Sequence, residues 1–244
     1  MASVICSTRN PSRFGNVRPI TRNLVAAEVI CAGFMAAWAA EQTLGADAGS
    51  DNRLGFVEGF CNRKGFTATR TLENAQKGSD AENSLIYSYG ALVWEQLRQK
   101  LGDSDFEAGL NDFYSQYGYQ SANYAALVSA FQEHTQVQVQ TYLDPWVRHN
   151  AQIDLSIADV SIQQNGNHFE TSVQVNILSD RDYELFSAIG FRTSISGEET
   201  IVEIHTSEDG IHEVVFSSSE SPVYVILDPE HRVPQMDLNN DVWP

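Results

Sequence analysis

The stretch Val139–Ile177, VQTYLDPWVRHNAQIDLSIADVSIQQNGNHFETSVQVNI, changes its hydrophobic period halfway along. Val139, Tyr142, Leu143 and Trp146 recur at spacings of three and four, as one face of a helix requires. Beyond Asn150 the period falls to two. Phe169, Thr171, Val173, Val175 and Ile177 alternate with mostly polar residues, which predicts a strand with one buried face. The chain therefore divides near residue 150 into a helical part and a part built of strands.

Upstream, Ser79-x-x-Glu82 is a capping-box pattern that predicts a long helix from Asp80 to Leu101, stopped by Gly102. Ile86, Gly90, Val93, Leu97 and Leu101 form its expected buried stripe. Ser104-x-x-Glu107 predicts the start of the next helix, with Phe106, Leu110, Phe113 and Tyr117 on one face. Ser121 is the expected cap of a third, whose stripe is Tyr124, Leu127, Val128 and Phe131. Short polar connections between such helices imply antiparallel neighbours in a helical array. Downstream, Asn165-Gly166 and Asp209-Gly210 are hairpin signals, because both central positions of a type I′ turn need φ > 0. Val223, Val225 and Leu227 predict the last strand, ended by Asp228-Pro229. The expected fold class is α+β. A helical domain over 1–150 precedes a small antiparallel, acidic β-sandwich over 151–235, and 236–244 is a tail.

The 244 residues carry 15 Lys and Arg against 32 Asp and Glu, a formal charge of −17. Only 3 of the bases but 17 of the acids fall after residue 150. This balance excludes a nucleic-acid partner, whose binding rests on neutralising phosphates. Cys6, Cys31 and Cys61 are odd in number and have no C-x-x-C spacing, so reduced, buried thiols are expected. No apolar run reaches the ~18–20 residues of a spanning helix. The longest, Val29–Ala40, follows four arginines and no acid before Glu28, and Ala37-Trp38-Ala39 has the form of a cleavage site. Residues 1–39 thus have the shape of a leader. Glu28, set against the apolar run, and the length of the charged region count against it. The reading favours a soluble, cytoplasmic protein over a secreted one.

A search for chemistry returns mostly exclusions. All six histidines lie at or after His134, so an H-E-x-x-H zinc helix is absent from the first 133 residues. His205 and His212 are expected to face each other across the Asp209-Gly210 hairpin, as a cross-strand polar pair or, alternatively, a surface metal site. No G-x-S-x-G elbow, Walker loop or G-x-G-x-x-G is found.

The stretch Ile86-Tyr87-Ser88-Tyr89-Gly90-Ala91-Leu92-Val93, then Leu101-Gly102-Asp103 and Phe106, resembles peptidase family M1, the alanyl aminopeptidase-like gluzincins. The likeness continues through Phe113-Tyr114, Leu143-Asp144-Pro145-Trp146-Val147, Ala158-Asp159-Val160 and Val223–Pro229, and covers residues 82–233. Upstream, Phe14-Gly15-Asn16-Val17-x-Pro19 is similar to the segment after the family's zinc helix, and Ala32-Gly33-Phe34 to its Glu-Gly-Phe. The resemblance implies that Tyr87 stands at the position of the tyrosine that stabilises the transition state, and that Ala32 stands where the third zinc ligand belongs. Ser7-Thr8-Arg9-Asn10-Pro11 stands where the zinc helix is expected, and none of these is a good zinc ligand.

The function expected on this basis is a degenerate or truncated aminopeptidase-like protein without its own zinc or other cofactor. It would be non-catalytic, binding or scaffolding a peptide or protein, with Tyr87 vestigial. The alternative is the C-terminal portion of a zinc aminopeptidase whose H-E-x-x-H lies upstream or on another chain. The acidic second half also carries a prediction about salt. Repulsion among carboxylates is screened over a Debye length of ~8–10 Å at moderate ionic strength, so the melting temperature should rise between low salt and roughly 0.5 M sodium chloride. A flat series would show that the acids are already paired.

Overall fold

The computed structural model of the chain describes residues 26–61, 71–75, 85–118, 122–195 and 197–244, with residues 26–32 described by their backbone alone. Helices α1 (Ala26–Leu44) and α2 (Ala46–Cys61) come first. After a 3₁₀ turn at Leu72–Asn74, a π-helical turn, Leu85–Tyr89, runs directly into α3 (Gly90–Leu101). Then follow α4 (Asp103–Tyr117), α5 (Tyr124–Gln132) and α6 (Val139–Arg148). The strands are β1 (Ile153–Asn165), β2 (His168–Ser179), β3 (Leu185–Arg192), β4 (Thr200–Thr206), β5 (Gly210–Ser218), β6 (Tyr224–Leu227) and β7 (Val242–Trp243). The class is α+β, a helical part followed by two small antiparallel sheets.

The stripes read from the sequence are the buried faces. Ile86, Val93, Leu97, Phe106, Leu110, Phe113, Leu127, Phe131, Val139 and Trp146 are all buried. Trp94, Phe106 and Phe131 meet at ring separations of 5.4–5.7 Å, so α3, α4 and α5 share one aromatic core. Gly109 makes the α4–α5 approach possible, since a Cβ there would lie 2.5 Å from Phe131 Cδ1. Gly102 takes φ +76° and its N–H bonds to Arg98 O, ending α3 where the sequence predicts.

Two caps differ from expectation. The cap of α4 is Gly102 rather than Ser104: the helix starts two residues earlier, at Asp103, whose carboxylate bonds to Arg98 Nε at 2.6 Å. The cap of α5 is Asn123, whose Oδ1 accepts from Ala126 N at 2.9 Å, and Ser121 lies outside the described residues. Asn and Ser compete for this role on nearly equal terms, so spacing alone does not separate them. Ser79 and Glu82 also lie outside the described residues.

The strands form sheets β1-β2-β5 and β4-β3-β6-β7. Phe191 of β3 stacks on Phe216 of β5 at 4.4 Å, packing the sheets face to face. The Asn165-Gly166 signal marks a hairpin, between β1 and β2, but with a different turn, and the second signal marks none. Asn165 pairs with His168, so the β1–β2 loop is Gly166-Asn167, with φ +65° at Gly166 alone among the two. Only a first central residue at positive φ corresponds to a II′-like turn, one residue further on. Asp209-Gly210 is no hairpin at all: β4 pairs with β3 and β5 with β2, so this connection crosses between the sheets. Residues 236–244 supply β7, where Val242 and Trp243 pair with Ile226 and Val225.

One buried side chain of α3 bonds directly to the backbone of the sheets. Gln96 of α3 is fully buried, and its amide donates to Phe186 O at 2.8 Å and Arg232 O at 3.1 Å while accepting from Phe186 N at 2.9 Å. Leaving buried peptide groups without partners costs about 1–3 kcal/mol each. Gln96→Ala is therefore expected to lower the unfolding free energy by about 2–4 kcal/mol in urea titrations with an unchanged slope, and Gln99→Ala, whose amide bonds Glu95 of the same helix, by about 1 kcal/mol or less.

Candidate functional site

Tyr87 sits in the middle of the π-helical turn, half-buried between the buried side chains of Ile86 and Ser88. Single π-turns break the regular register of a helix and occur often at functional sites. Two glycines let neighbouring helices come up against this turn. A Cβ on Gly33 of α1 would lie 3.1 Å from the Tyr87 carbonyl oxygen, and one on Gly59 of α2 would lie 2.6 Å from Ser88 Oγ. The backbone of Ala32 precedes Gly33 in α1, so the structure brings the segment of Ala32 against the turn of Tyr87. Ser7–Pro11 and Phe14–Pro19 lie outside the described residues.

The turn is anchored from below. Tyr89 is fully buried, donates its hydroxyl to Trp146 O at 3.0 Å and stacks on Phe60 at 5.2 Å. Burial holds its ionisation well above the ordinary phenol value, so it is a neutral hydrogen-bond donor at any working pH. Tyr87 is the phenol nearer to solvent, Tyr89 the structural one.

Behind the turn, a carboxylate ties three helices. Glu41 of α1 accepts from Arg53 of α2 at 2.6 Å and from Arg98 of α3 at 2.7 Å. Burial alone would raise its pKa, but the hydrogen bonds from Arg98 and Arg53 outweigh that and hold it below 4.5. Arg53 also donates to Glu230 O at 2.7 Å, and Ser50 Oγ to Pro229 O at 2.9 Å, so α2 is docked on the loop after β6. With its proton on Pro229 O, Ser50 Oγ accepts from His231 Nδ1, 3.0 Å away. Asp228 and His231 in this loop are the non-glycine residues with positive φ among those described, at +48° and +54°.

Among the described residues, no group of three or more His, Cys, Asp or Glu could hold a metal ion. The donor set at the turn does not fit zinc, because Ala32 carries no ligand atom. The pairing expected for His205 and His212 is not present, since β4 and β5 lie in different sheets. His205 stacks on Phe186 at 4.4 Å and meets Glu184 at 2.7 Å, while His212 Nε2 lies 2.8 Å from Glu208 O. Cys61 is half-buried with its thiol directed at Gln235 O, 2.8 Å away, and Cys6 and the Cys31 side chain lie outside the described residues. An apolar cavity of about 30 Å³ among Gly90, Val93, Trp94, Leu127, Leu143 and Val147 has room for little more than a methyl group.

This arrangement of helices is that of a known class of protein. Residues 58–146 match the peptidase family M1 domain. A crystal structure of Legionella pneumophila aminopeptidase A in complex with aspartic acid is similar over 87% of this chain, with a TM-score of 0.54 and 13% sequence identity. The chain spans about a quarter, 24%, of that protein's length. No curated protein matches the chain at a significant level. Residues 58–146 are thus an M1 peptidase-like segment, and the fold over most of the chain is similar to that of an aminopeptidase. No helix among the described residues is long and apolar enough to cross a membrane.

The Glu41 network makes stability depend on pH in a defined direction. A carboxyl whose folded pKa is depressed contributes stability that is present above the unfolded value and lost as pH falls through the folded value. Thermal melts of the wild type and Glu41→Gln should therefore differ most above the ordinary value of 4.5, with the wild type the more stable, and converge as pH falls through the lowered folded value. Parallel curves would mean that Glu41 gains nothing from its two arginines.

Proposed function

We propose that this chain is a non-catalytic member of the M1 aminopeptidase-like group, a binding or scaffold protein that keeps the peptide-facing turn of Tyr87 and has no zinc centre of its own. The observation that carries the reading is the pairing of a built turn with a missing ligand. Gly33 and Gly59 bring α1 against Tyr87 and α2 against Ser88 of the same turn, yet the residue before Gly33 is Ala32. The absence of histidine before His134 supports it from the sequence side. Peptide hydrolysis in this family uses a metal-activated water and a carboxylate base, and the phenol stabilises the charge that their attack develops. Without them Tyr87 has no developing oxyanion to stabilise, and its hydroxyl is free to bind the carbonyl of an extended peptide.

A second reading is favoured by one fact, that the chain spans 24% of the aminopeptidase it resembles. On that reading it is the C-terminal portion of a zinc enzyme completed by an upstream or separate segment.

Metal analysis and an aminoacyl-arylamide assay separate the two. The purified chain is expected to retain far less than one zinc per molecule after dialysis and to show no chelator-sensitive hydrolysis, with Tyr87→Phe indistinguishable from wild type. Losing the activated water removes many powers of ten in rate, more than a lone phenol returns. One zinc per chain, or hydrolysis that follows the protein through purification and is abolished by chelator, would overturn the non-catalytic reading.

A further inference from the structure

The segment leading into β7 folds back across the sheets, with Met236 N bonded to Ile153 O and Ile157 N to Asn240 O, and it carries one buried acid. Asp241 is 5% exposed and stands immediately before β7. Its backbone oxygen accepts from Leu227 N of β6 at 2.8 Å, extending the β6–β7 ladder by one rung. Its side chain has one donor: Gln235 Nε2 reaches Oδ2 at 3.1 Å, while Oδ1 is buried without a partner. The Gln235 amide is fixed in turn, since its Oε1 accepts from Leu155 N of β1 at 3.1 Å.

Three other carboxyls act on this one. Asp154 comes from β1, Asp228 from the loop after β6, and Asp237 from the segment leading back to β7. The guanidinium of that loop is committed elsewhere, since Arg232 bonds Glu203 and Glu230, and burial lowers the pKa of His231, which bonds Ser50. An ionised Asp241 would lie buried with one hydrogen bond and three like charges nearby, a state that costs several kcal/mol. Either a proton or a cation has to remove that charge. The described residues contain no group of three acidic or histidine side chains arranged to hold a metal, which decides for the proton.

We propose that Asp241 is held as the neutral acid in the folded protein and acts as a proton-operated clasp on the C-terminal strand, loosening β7 when that proton is lost. Burial first, then the carboxyls of Asp228, Asp154 and Asp237, push its pKa up to about 8, against the smaller opposing pull of Gln235. Once β7 opens, the side chain returns to water and to an ordinary value near 3.8. A folded pKa raised above the open one means that opening releases a proton. The opening constant thus climbs by up to tenfold per pH unit between those two values and levels off above about pH 8.

Hydrogen exchange of the peptide covering 236–244, normalised to the intrinsic rate at each pH, reads this constant directly. The wild type is expected to lose protection there across roughly pH 5–8 and then plateau, while Asp241→Asn, which keeps the neutral shape, stays flat. Asp237→Asn removes one facing charge and should move the plateau to lower pH, which keeps the idea testable if Asp241→Asn does not fold. A flat wild type, or a slope unchanged in Asp241→Asn or a plateau unmoved in Asp237→Asn, would overturn the clasp. Protection restored by micromolar calcium at constant pH and removed by chelator would also overturn it, by making the occupant a cation.

Discussion

Gln96 is the constraint from which the arrangement of the two parts follows. Strand β3 is central in its sheet, but β6 pairs only with Ile189–Arg192 and leaves the first half of β3 without a strand on that side. Phe186 has both its N–H and its C=O directed into this vacancy. A helix cannot offer backbone groups there, because its own are used internally. The Gln96 amide can, since it carries a donor and an acceptor at one planar end. It occupies the place of a missing strand residue, and its remaining N–H takes Arg232 O. Two residues on, Asp228 N takes Ala188 O and completes the edge. Helix α3 is thereby fixed to the start of β3 and to the loop after β6 by the same three bonds.

The same loop receives α2, which explains its backbone. Asp228 accepts from Ser187 Oγ, Arg232 N and Val233 N, three bonds that hold a tight turn closed around one buried carboxyl. Positive φ at Asp228 and His231 is the cost of that closure, about 1–3 kcal/mol per non-glycine residue and less for Asp, whose short side chain tolerates the region. Arg53 and Ser50 then dock onto carbonyl oxygens that the turn presents outward. Shape at this junction comes from polar groups satisfying one another, and the aromatic core of α3–α5 supplies the apolar burial beside it.

How much of this was legible in the sequence divides along physical lines. The helical stripes and the buried face of β2 are set by local periodicity, and they were readable residue by residue. Strand partners were not, because a period of two reports which face is buried and says nothing about the neighbouring strand. Asp209-Gly210 has the composition of a hairpin, yet Gly210 at φ +110° serves a crossing between sheets. The Gly166-Asn167 loop lay one residue from its signal because Gly alone can occupy the first central position at positive φ here. At the candidate site, Tyr87 was found through the family resemblance, while Gln96 and Asp241 were invisible. Nothing local distinguishes a buried Gln or Asp from a solvated one; only tertiary contacts do.

The fold around Tyr87 has a further property that bears on the proposed function. A bound metal ion ties together the elements that ligate it, and its loss from such a site costs folding free energy. Here the elements that meet at the turn are tied by other means. Gly33 and Gly59 permit close packing, and Glu41 joins α1, α2 and α3 through two guanidinium groups. Removing one partner of such a network leaves charge uncompensated, so each member protects the others from substitution. A cross-link of this kind makes the geometry of the turn independent of what fills the position of Ala32. The architecture of the turn thus rests on glycine contacts and on ion pairs among α1, α2 and α3, as the proposed binding role would require of it.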